Sequence, residues 1–153
     1  IKKEPFYRAV RCDKLILTVL QECIDTYLET KTSNDTSKVP ALDFINKDKK
    51  ELQVRAEAII SSMPTEITSQ LSITETMART GGGTMPKSEI PSIAIRIAPR
   101  DVSVNQLAYR LRTENPPVVG TVVENMLHID LRTVFKNQDE LLAKAIKTSL
   151  KQS

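Results

Sequence analysis

The spacing of apolar residues changes along this chain from the period of a helix to the period of a strand, and that change constrains its fold most. Between Asp13 and Thr30, apolar side chains recur every three or four positions and share one side of a predicted helix: Ile16, Leu20, Cys23, Ile24 and Tyr27. The same spacing over Lys49 to Met63 predicts a second helix. Asp48 and Glu51 form a capping-box pattern at its start, and Pro64 ends it.

Four later segments are predicted to be strands. Residues 66–73 and 93–97 alternate between apolar side chains and polar or small ones, which is the pattern of half-buried strands. Val118–Val123 and Leu127–Leu131 flank a tight turn at Glu124-Asn125, which predicts a hairpin. Strands joined this tightly pair antiparallel.

Two more helices complete the predicted set. Ser103 caps a helix that Pro116-Pro117 ends, and the polar residues 31–38 are predicted to be a loop. Residues 138–150 form the last predicted helix, whose inward side chains are Leu141, Leu142, Ala145 and Ile146. The order α-α-β-β-α-β-β-α predicts an α+β fold: an antiparallel sheet with helices on one face, preceded by a long linking helix.

The composition excludes some classes of protein. With 153 residues, of which 40% are hydrophobic and 27% charged, the chain suits one domain with a real core. No apolar run approaches the roughly 20 residues that span a bilayer, so no membrane partner is expected. The net charge of +3 is spread along the chain and does not by itself indicate an anionic partner. Cys12 and Cys23 are interpreted as reduced thiols of a cytoplasmic protein.

One loop holds Gly81, Gly82 and Gly83 and nearly matches the phosphate-binding P-loop pattern. The match fails because Pro86 stands where the second glycine is required, and because the next residues predict a strand and not a helix. Three consecutive glycines indicate either a structural turn or a contact with an active site or a neighbouring subunit. The residues themselves leave both interpretations open.

A basic cluster precedes the first helix. Arg8 and Arg11 are three positions apart, so in a turn or helix both guanidinium groups fall on one side, where they can grip a phosphate or a carboxylate. The alternative is a solvated basic turn. Cys12, next to Arg11, is predicted to be a small buried thiol at the start of the helix.

The one histidine, His128, is predicted to share the solvated face of a strand with Asp130 and Arg132. No nucleophile is paired with it in the sequence. No group of His, Cys and carboxylate residues has the spacing of metal ligands, so neither a metal site nor a complete catalytic set is predicted in this chain.

Several stretches of the chain together carry one resemblance. Residues 6–15 are similar to the motif RALRVDKLTL, and residues 81–92 to GGGSLP…LPS. Residues 111–120 and 127–134 are similar to LR…PPVIGRI…LLLDLRTV, and Arg55-Ala56-Glu57 also fits. In this order and at this spacing, the motifs resemble those of bacterial selenocysteine synthases, the L-seryl-tRNA(Sec) selenium transferase family.

The resemblance implies the C-terminal part of a fold-type I pyridoxal-phosphate (PLP) enzyme, and the start without Met is interpreted in the same way. Residues 1–30 would end the large PLP domain and form the linking helix, and residues 31–153 would be the small α+β domain. The implied reaction converts seryl-tRNA(Sec) to selenocysteinyl-tRNA(Sec) with selenophosphate. The family's PLP lysine lies upstream, and Lys2, Lys3 and Lys14 do not match it. The fragment is therefore expected to be inactive alone.

The resemblance also assigns Arg8 and Arg11 to the family's active-site arginines, which suits an anionic selenium donor. A cytoplasmic homo-oligomer is expected. Two residues depart from the motifs: Cys12 replaces Val, and Thr121 replaces Arg, which puts an anion contact at that hairpin in doubt. Two alternatives stay open: the C-terminal domain of a paralogous PLP-dependent lyase or transferase acting on a small amino acid, and a stand-alone α+β binding module.

Overall fold

The fold is that of a computed structural model, which describes residues 6, 11–80 and 89–151. The chain divides into two compact units, Ile1–Asn46 and Lys47–Ser153. The first unit contains helices α1 (Lys14–Ser33) and α2 (Pro40–Asn46). The α1 helix therefore extends three residues into the predicted loop, and α2 was not predicted.

The α1 helix begins and ends with residues suited to these positions. Asp13 caps its start, since Asp13 Oδ1 accepts a hydrogen bond of 2.9 Å from the backbone N–H of Ile16. Asn34 ends the helix in the left-handed conformation, with φ of 56°. Pro40 then opens α2 at the first helical position, where its missing N–H costs no hydrogen bond.

The second unit is an antiparallel four-stranded sheet with helices. The strands lie in the order β1-β2-β4-β3. This arrangement confirms the predicted α+β class. The elements of this unit, in chain order, are α3 (Lys49–Ser61), α4 (Thr65–Thr68), β1 (Leu71–Arg79), β2 (Glu89–Ile97), α5 (Val104–Thr113), β3 (Thr121–Val123), β4 (Met126–Asp130) and α6 (Asp139–Lys151).

The hydrophobic core lies between one face of the sheet and the long helices. Alternate residues of β2 and β4 point into it, because successive side chains of a strand face opposite ways. The helices α3, α5 and α6 contribute the other side. The buried side chains of this core include Ile93, Ile95, Ile97, Leu127, Ile129, Leu52, Leu107 and Ile146. Helices on one face of the sheet were predicted, and the core confirms them.

Local signals at three element ends act as predicted. Ser103 Oγ accepts a hydrogen bond of 3.2 Å from the backbone N–H of Gln106 at the start of α5. Glu124 and Asn125 form the tight turn between β3 and β4 with φ of 50° and 60°. Asp48 caps α3 as predicted, but through the N–H of Lys50 at 3.1 Å and not through the predicted capping box with Glu51.

Several predictions about these elements were wrong, including the start of β3, which is Thr121 and not Val118. Residues 66–70 do not belong to a strand, because the backbone N–H of Thr68 bonds to the carbonyl of Pro64 at 3.0 Å and closes the α4 turn. The following strand starts at Leu71. The α3 helix ends at Ser61, before Pro64. Leu141 is 44% exposed and does not point into the core.

Candidate functional site

Arg11 is the member of the predicted arginine pair that the structure describes. It is exposed and lies in an irregular stretch just before the α1 cap Asp13. Arg8 lies outside the described residues. The first turn of α1 contains no acidic residue and begins with the exposed Lys14. The carboxylate of Asp13 already meets the positive end of the helix dipole as its cap, and Arg11 and Lys14 lie on either side of it in the sequence.

The two cysteines lie in the same unit, and both are exposed free thiols. The prediction that Cys12 is a buried thiol is therefore wrong. The reason is that the residues just before α1 pack into no core: Arg11, Cys12 and Asp13 are all exposed.

Gly81, Gly82 and Gly83 lie outside the described residues, but the two strands that flank this segment are described. Arg79 at the end of β1 forms an ion pair of 3.0 Å with Glu89 at the start of β2. The glycine segment is followed by the strand β2, as predicted. A P-loop would be followed by a helix, so this strand supports the rejection of a P-loop here. Whether this segment contacts an active site stays a prediction.

The prediction that Arg132 shares a solvated strand face with His128 and Asp130 is wrong. The β4 strand ends at Asp130, and Arg132 lies in a 3-10 turn at 3% exposure. Its guanidinium group donates hydrogen bonds to the carbonyl oxygens of Pro91 at 2.6 Å and Lys47 at 3.0 Å. A guanidinium group that is buried and bonded to backbone carbonyls in this way stabilises the fold.

Asp130 completes the same contact network. Its Oδ1 accepts a hydrogen bond of 2.6 Å from the hydroxyl of Ser92, which is fully buried, and one of 2.9 Å from the backbone N–H of Arg132. Through Ser92 and Pro91, Asp130 and Arg132 anchor the first half of β2, two to three residues after the described chain resumes at Glu89. The sequence indicated charged residues here but not their partners.

A second buried arginine joins distant parts of the unit. Arg55 of α3 is 5% exposed, and its Nη2 lies 2.7 Å from Asp139 Oδ1 and 3.0 Å from the carbonyl oxygen of Val134. Lys47 Nζ donates to the same carbonyl at 3.0 Å. Arg55, which fits the family motifs in the sequence, therefore has a structural role in this unit.

The exposure of the described lysines and the pKa of Lys38 indicate how well they suit covalent attachment of a cofactor. Each of them is exposed or half-buried. The hydrogen bond that Lys38 donates to Glu29 raises the pKa of Lys38. A lysine that forms a Schiff base usually has a lowered pKa, caused by burial or by a neighbouring cation.

Within residues 11–80 and 89–151, no group of three His, Cys, Asp or Glu side chains is arranged to hold a metal ion. Over the described residues, no helix combines the length and the apolar character that crossing a membrane requires.

Comparison with known proteins gives one consistent result. The sequence model of the SelA family, L-seryl-tRNA selenium transferase, matches residues 1–135. A protein named L-seryl-tRNA(Sec) selenium transferase from Maridesulfovibrio salexigens is 31% identical over 153 residues. Proteins of the same name from Carboxydothermus hydrogenoformans and Aquifex aeolicus are each 30% identical, over 151 and 150 residues. Each of these matches covers 98% of this chain.

The same comparisons relate the chain to the length of those proteins. Each match spans 32% of the relative, so the chain spans about a third of the length of the relatives that it matches. The matched region is their C-terminal part.

Proposed function

We propose that this chain, which belongs to the L-seryl-tRNA selenium transferase family, is the C-terminal part of an enzyme that converts seryl-tRNA(Sec) to selenocysteinyl-tRNA(Sec). Selenophosphate is the proposed selenium donor. The observation that carries this proposal is the family match over residues 1–135, with relatives of that name aligned over 98% of the chain. In this proposal, residues 1–30 end a large domain and form its linking helix, and residues 31–153 form the small domain of a fold-type I enzyme.

The proposed cofactor is PLP, which supplies an electron sink for chemistry at the seryl group when bound. The described lysines are exposed or half-buried in this chain, which does not indicate the desolvated amine of a Schiff-base lysine. This supports a cofactor lysine elsewhere in the complete enzyme. We therefore expect the chain to be inactive alone and to contribute anion-binding groups to a site that another part of the enzyme completes.

Arg8 and Arg11 are the proposed binding residues for the anionic donor. The exposure of Arg11 supports this role, since its guanidinium group is free to meet a ligand. Lys14, the exposed first residue of α1, adds a second described cation close to Arg11 along the chain. Binding selenophosphate here would hold it for transfer of selenium to the seryl carbon.

The apolar side of α1 supports a larger assembly. This side includes residues between 41% and 54% exposed: Ile16, Leu20, Ile24 and Tyr27. A continuous apolar surface of this kind is usually covered by another domain or subunit. We propose that it packs within a cytoplasmic homo-oligomer that binds tRNA(Sec).

The direct test uses the full-length protein with Arg8→Ala and Arg11→Ala together. We expect the visible absorbance of bound PLP to be retained and the selenophosphate-dependent product to be lost, because the donor no longer has its two cations. Arg112→Ala is the matched control, since Arg112 is exposed on α5. Unchanged turnover in the double variant would remove the arginine pair from the site.

Two further measurements separate this proposal from its rivals. Turnover of free L-serine in place of seryl-tRNA(Sec) would indicate a paralogous lyase or transferase. The chain alone, mixed with PLP, is expected to give no absorbance band near the visible edge. A band that disappears when one of its lysines is replaced would contradict the proposed position of the cofactor lysine.

A further inference from the structure

The face of the sheet opposite the apolar core has an unusual composition. The alternation of side chains along the strands defines this face. Three of its side chains are ionisable: Arg96 on β2, and His128 and Asp130 on β4. Most of the others are small or carry a hydroxyl group: Ser72, Thr74, Thr76, Ala78, Ser92, Ala94 and Thr121.

Two of the ionisable groups lie in one row across all four strands. Arg96 is the register partner of His128 on one side and of Ser72 on the other. His128 is in turn the register partner of Thr121 on β3. We call these four residues the cross-sheet row. Directly opposed residues of an antiparallel pair have Cβ atoms about 5 Å apart, so the side chains of this row are neighbours.

Some nitrogen atoms of the cross-sheet row have no hydrogen-bond partner in the described structure. Arg96 Nε donates to Ser72 Oγ at 2.9 Å, and its two terminal nitrogens make no hydrogen bond within the described part of the chain. His128 Nε2 is buried and has no hydrogen-bond partner among the described residues. A buried polar atom of this kind calls for a specific explanation, because native proteins pair nearly all of them.

The neighbouring carboxylate does not supply the missing partner. Asp130 is the acidic residue on this face of the four described strands, and its Oδ1 already accepts from Ser92 and from the N–H of Arg132. It forms no ion pair with Arg96 in the described structure. Arg96 and His128 are therefore neighbours in the register, and each carries a nitrogen that no described residue pairs.

We propose that the cross-sheet row binds a phosphate group, with the oxyanion accepting hydrogen bonds from the terminal nitrogens of Arg96 and from His128 Nε2–H. The hydroxyl of the exposed Thr121 is a third donor at the open edge. A guanidinium group suits this ligand, because its paired N–H groups match two phosphate oxygens. The phosphate is either a free ion or a phosphodiester of a nucleic acid. This site shares no residue with the arginine pair, so the failure of one proposal leaves the other intact.

The single histidine of the chain makes the test specific. Inorganic phosphate is titrated into the chain at constant pH and ionic strength, while the imidazole resonances of His128 are followed by NMR. We expect a saturable shift in the unsubstituted chain and at least about tenfold weaker binding in Arg96→Gln. Arg112→Gln removes the same charge from exposed α5 and should leave the shift unchanged. A shift that is linear in phosphate, or equal in all three proteins, would overturn the proposal.

A second measurement does not depend on the histidine signal. A ligand that binds the folded state raises the melting temperature, so phosphate should stabilise the unsubstituted chain and Arg112→Gln but neither Arg96→Gln nor His128→Leu. Equal stabilisation of all four proteins would mean that phosphate acts elsewhere, and the proposal would fail.

The source of the phosphate is decided by a third titration with the dinucleoside monophosphate ApA. A saturable His128 shift that is lost in Arg96→Gln identifies a phosphodiester ligand. A response to inorganic phosphate but not to ApA identifies a free phosphate ligand. No Arg96-dependent response to either probe would contradict the site itself.

Discussion

Arg55 and Asp139 form a buried, two-pronged ion pair that joins α3 to the first residue of α6. Arg55 Nη2 lies 2.7 Å from Asp139 Oδ1, and Arg55 Nε lies 3.0 Å from Asp139 Oδ2. The two residues are separated by 84 positions in the sequence. The same guanidinium group also bonds to the carbonyl of Val134, which keeps Lys47 as a second donor, so the loss of Arg55 would leave chiefly the carboxylate of Asp139 unpaired.

Arg55→Ala is therefore expected to lower the free energy of unfolding by about 3 kcal/mol, since the remaining carboxylate is left partly buried and unpaired. Urea unfolding followed by circular dichroism measures this loss. Arg79→Ala is the control, because the Arg79–Glu89 pair is exposed and such pairs contribute at most about 1 kcal/mol. Equal losses in both variants would contradict the special role of the buried pair.

Ser92→Ala removes the hydroxyl that donates to Asp130 Oδ1 at 2.6 Å. We expect a loss of about 2 kcal/mol, because the hydrogen bond is to a charged group and the serine is fully buried. Ser61→Ala, at an exposed position of α3, should change the free energy of unfolding little. If Ser92→Ala lowers the free energy of unfolding no more than Ser61→Ala does, the hydrogen bond between Ser92 and Asp130 does not stabilise the fold.

Glu124 occupies the left-handed region with φ of 50°, which costs a residue with a side chain about 1 kcal/mol. Glu124→Gly is expected to raise the free energy of unfolding by about 0.5 to 1 kcal/mol, since glycine adopts this conformation without strain. Glu124→Ala removes the same charge but keeps a Cβ, and should give no gain. A gain from both variants would point to the charge and not to the backbone.

Gly120 lies where β3 approaches β4 closely. An added Cβ would lie 2.7 Å from the backbone oxygen of His128 and 3.0 Å from Leu127 Cδ1. Gly120→Ala should therefore lower the free energy of unfolding by about 1 to 3 kcal/mol, because a backbone atom has to move. Val119→Ala, at a position that is 74% exposed, is the control. Thermal unfolding of the two variants provides the comparison.

The apolar side of α1 gives a prediction that depends on context. Leu20→Gln with Ile24→Gln should change the stability of the chain alone by less than about 0.5 kcal/mol, because both side chains are 45% or more exposed. In the full-length protein the same change should weaken oligomer formation, measured by analytical ultracentrifugation. An unchanged assembly would remove this surface from the proposed interface.

Much of the secondary structure could be predicted because local signals agree with the final fold. Asp13 and Ser103 cap helices through contacts three residues away, which the sequence displays directly. Alternation over Ile93–Ile97 marks a strand, since its period of two holds in any sheet with one apolar face. The prediction failed at residues 66–70, where an alternating pattern coincides with a helical turn after Pro64.

The candidate site was less predictable. Arg11 was singled out from its spacing to Arg8 and from a family resemblance, and its exposure agrees with a binding role. Arg132 was predicted to be solvated because it continues the alternation of β4. The strand ends at Asp130, however, and the 3-10 turn that follows directs the guanidinium group to the carbonyl of Pro91.

By itself, the sequence determined the α+β class, the capped helices and the turn between β3 and β4, because each depends on residues a few positions apart. Only the tertiary structure decided the partners of Arg55 and Arg132 and the row that Arg96 forms with His128. Those contacts join residues that are between 32 and 85 positions apart. The physical reason is that burial and strand register are properties of the assembled sheet, and no local pattern of side chains encodes which distant atom will meet a guanidinium group.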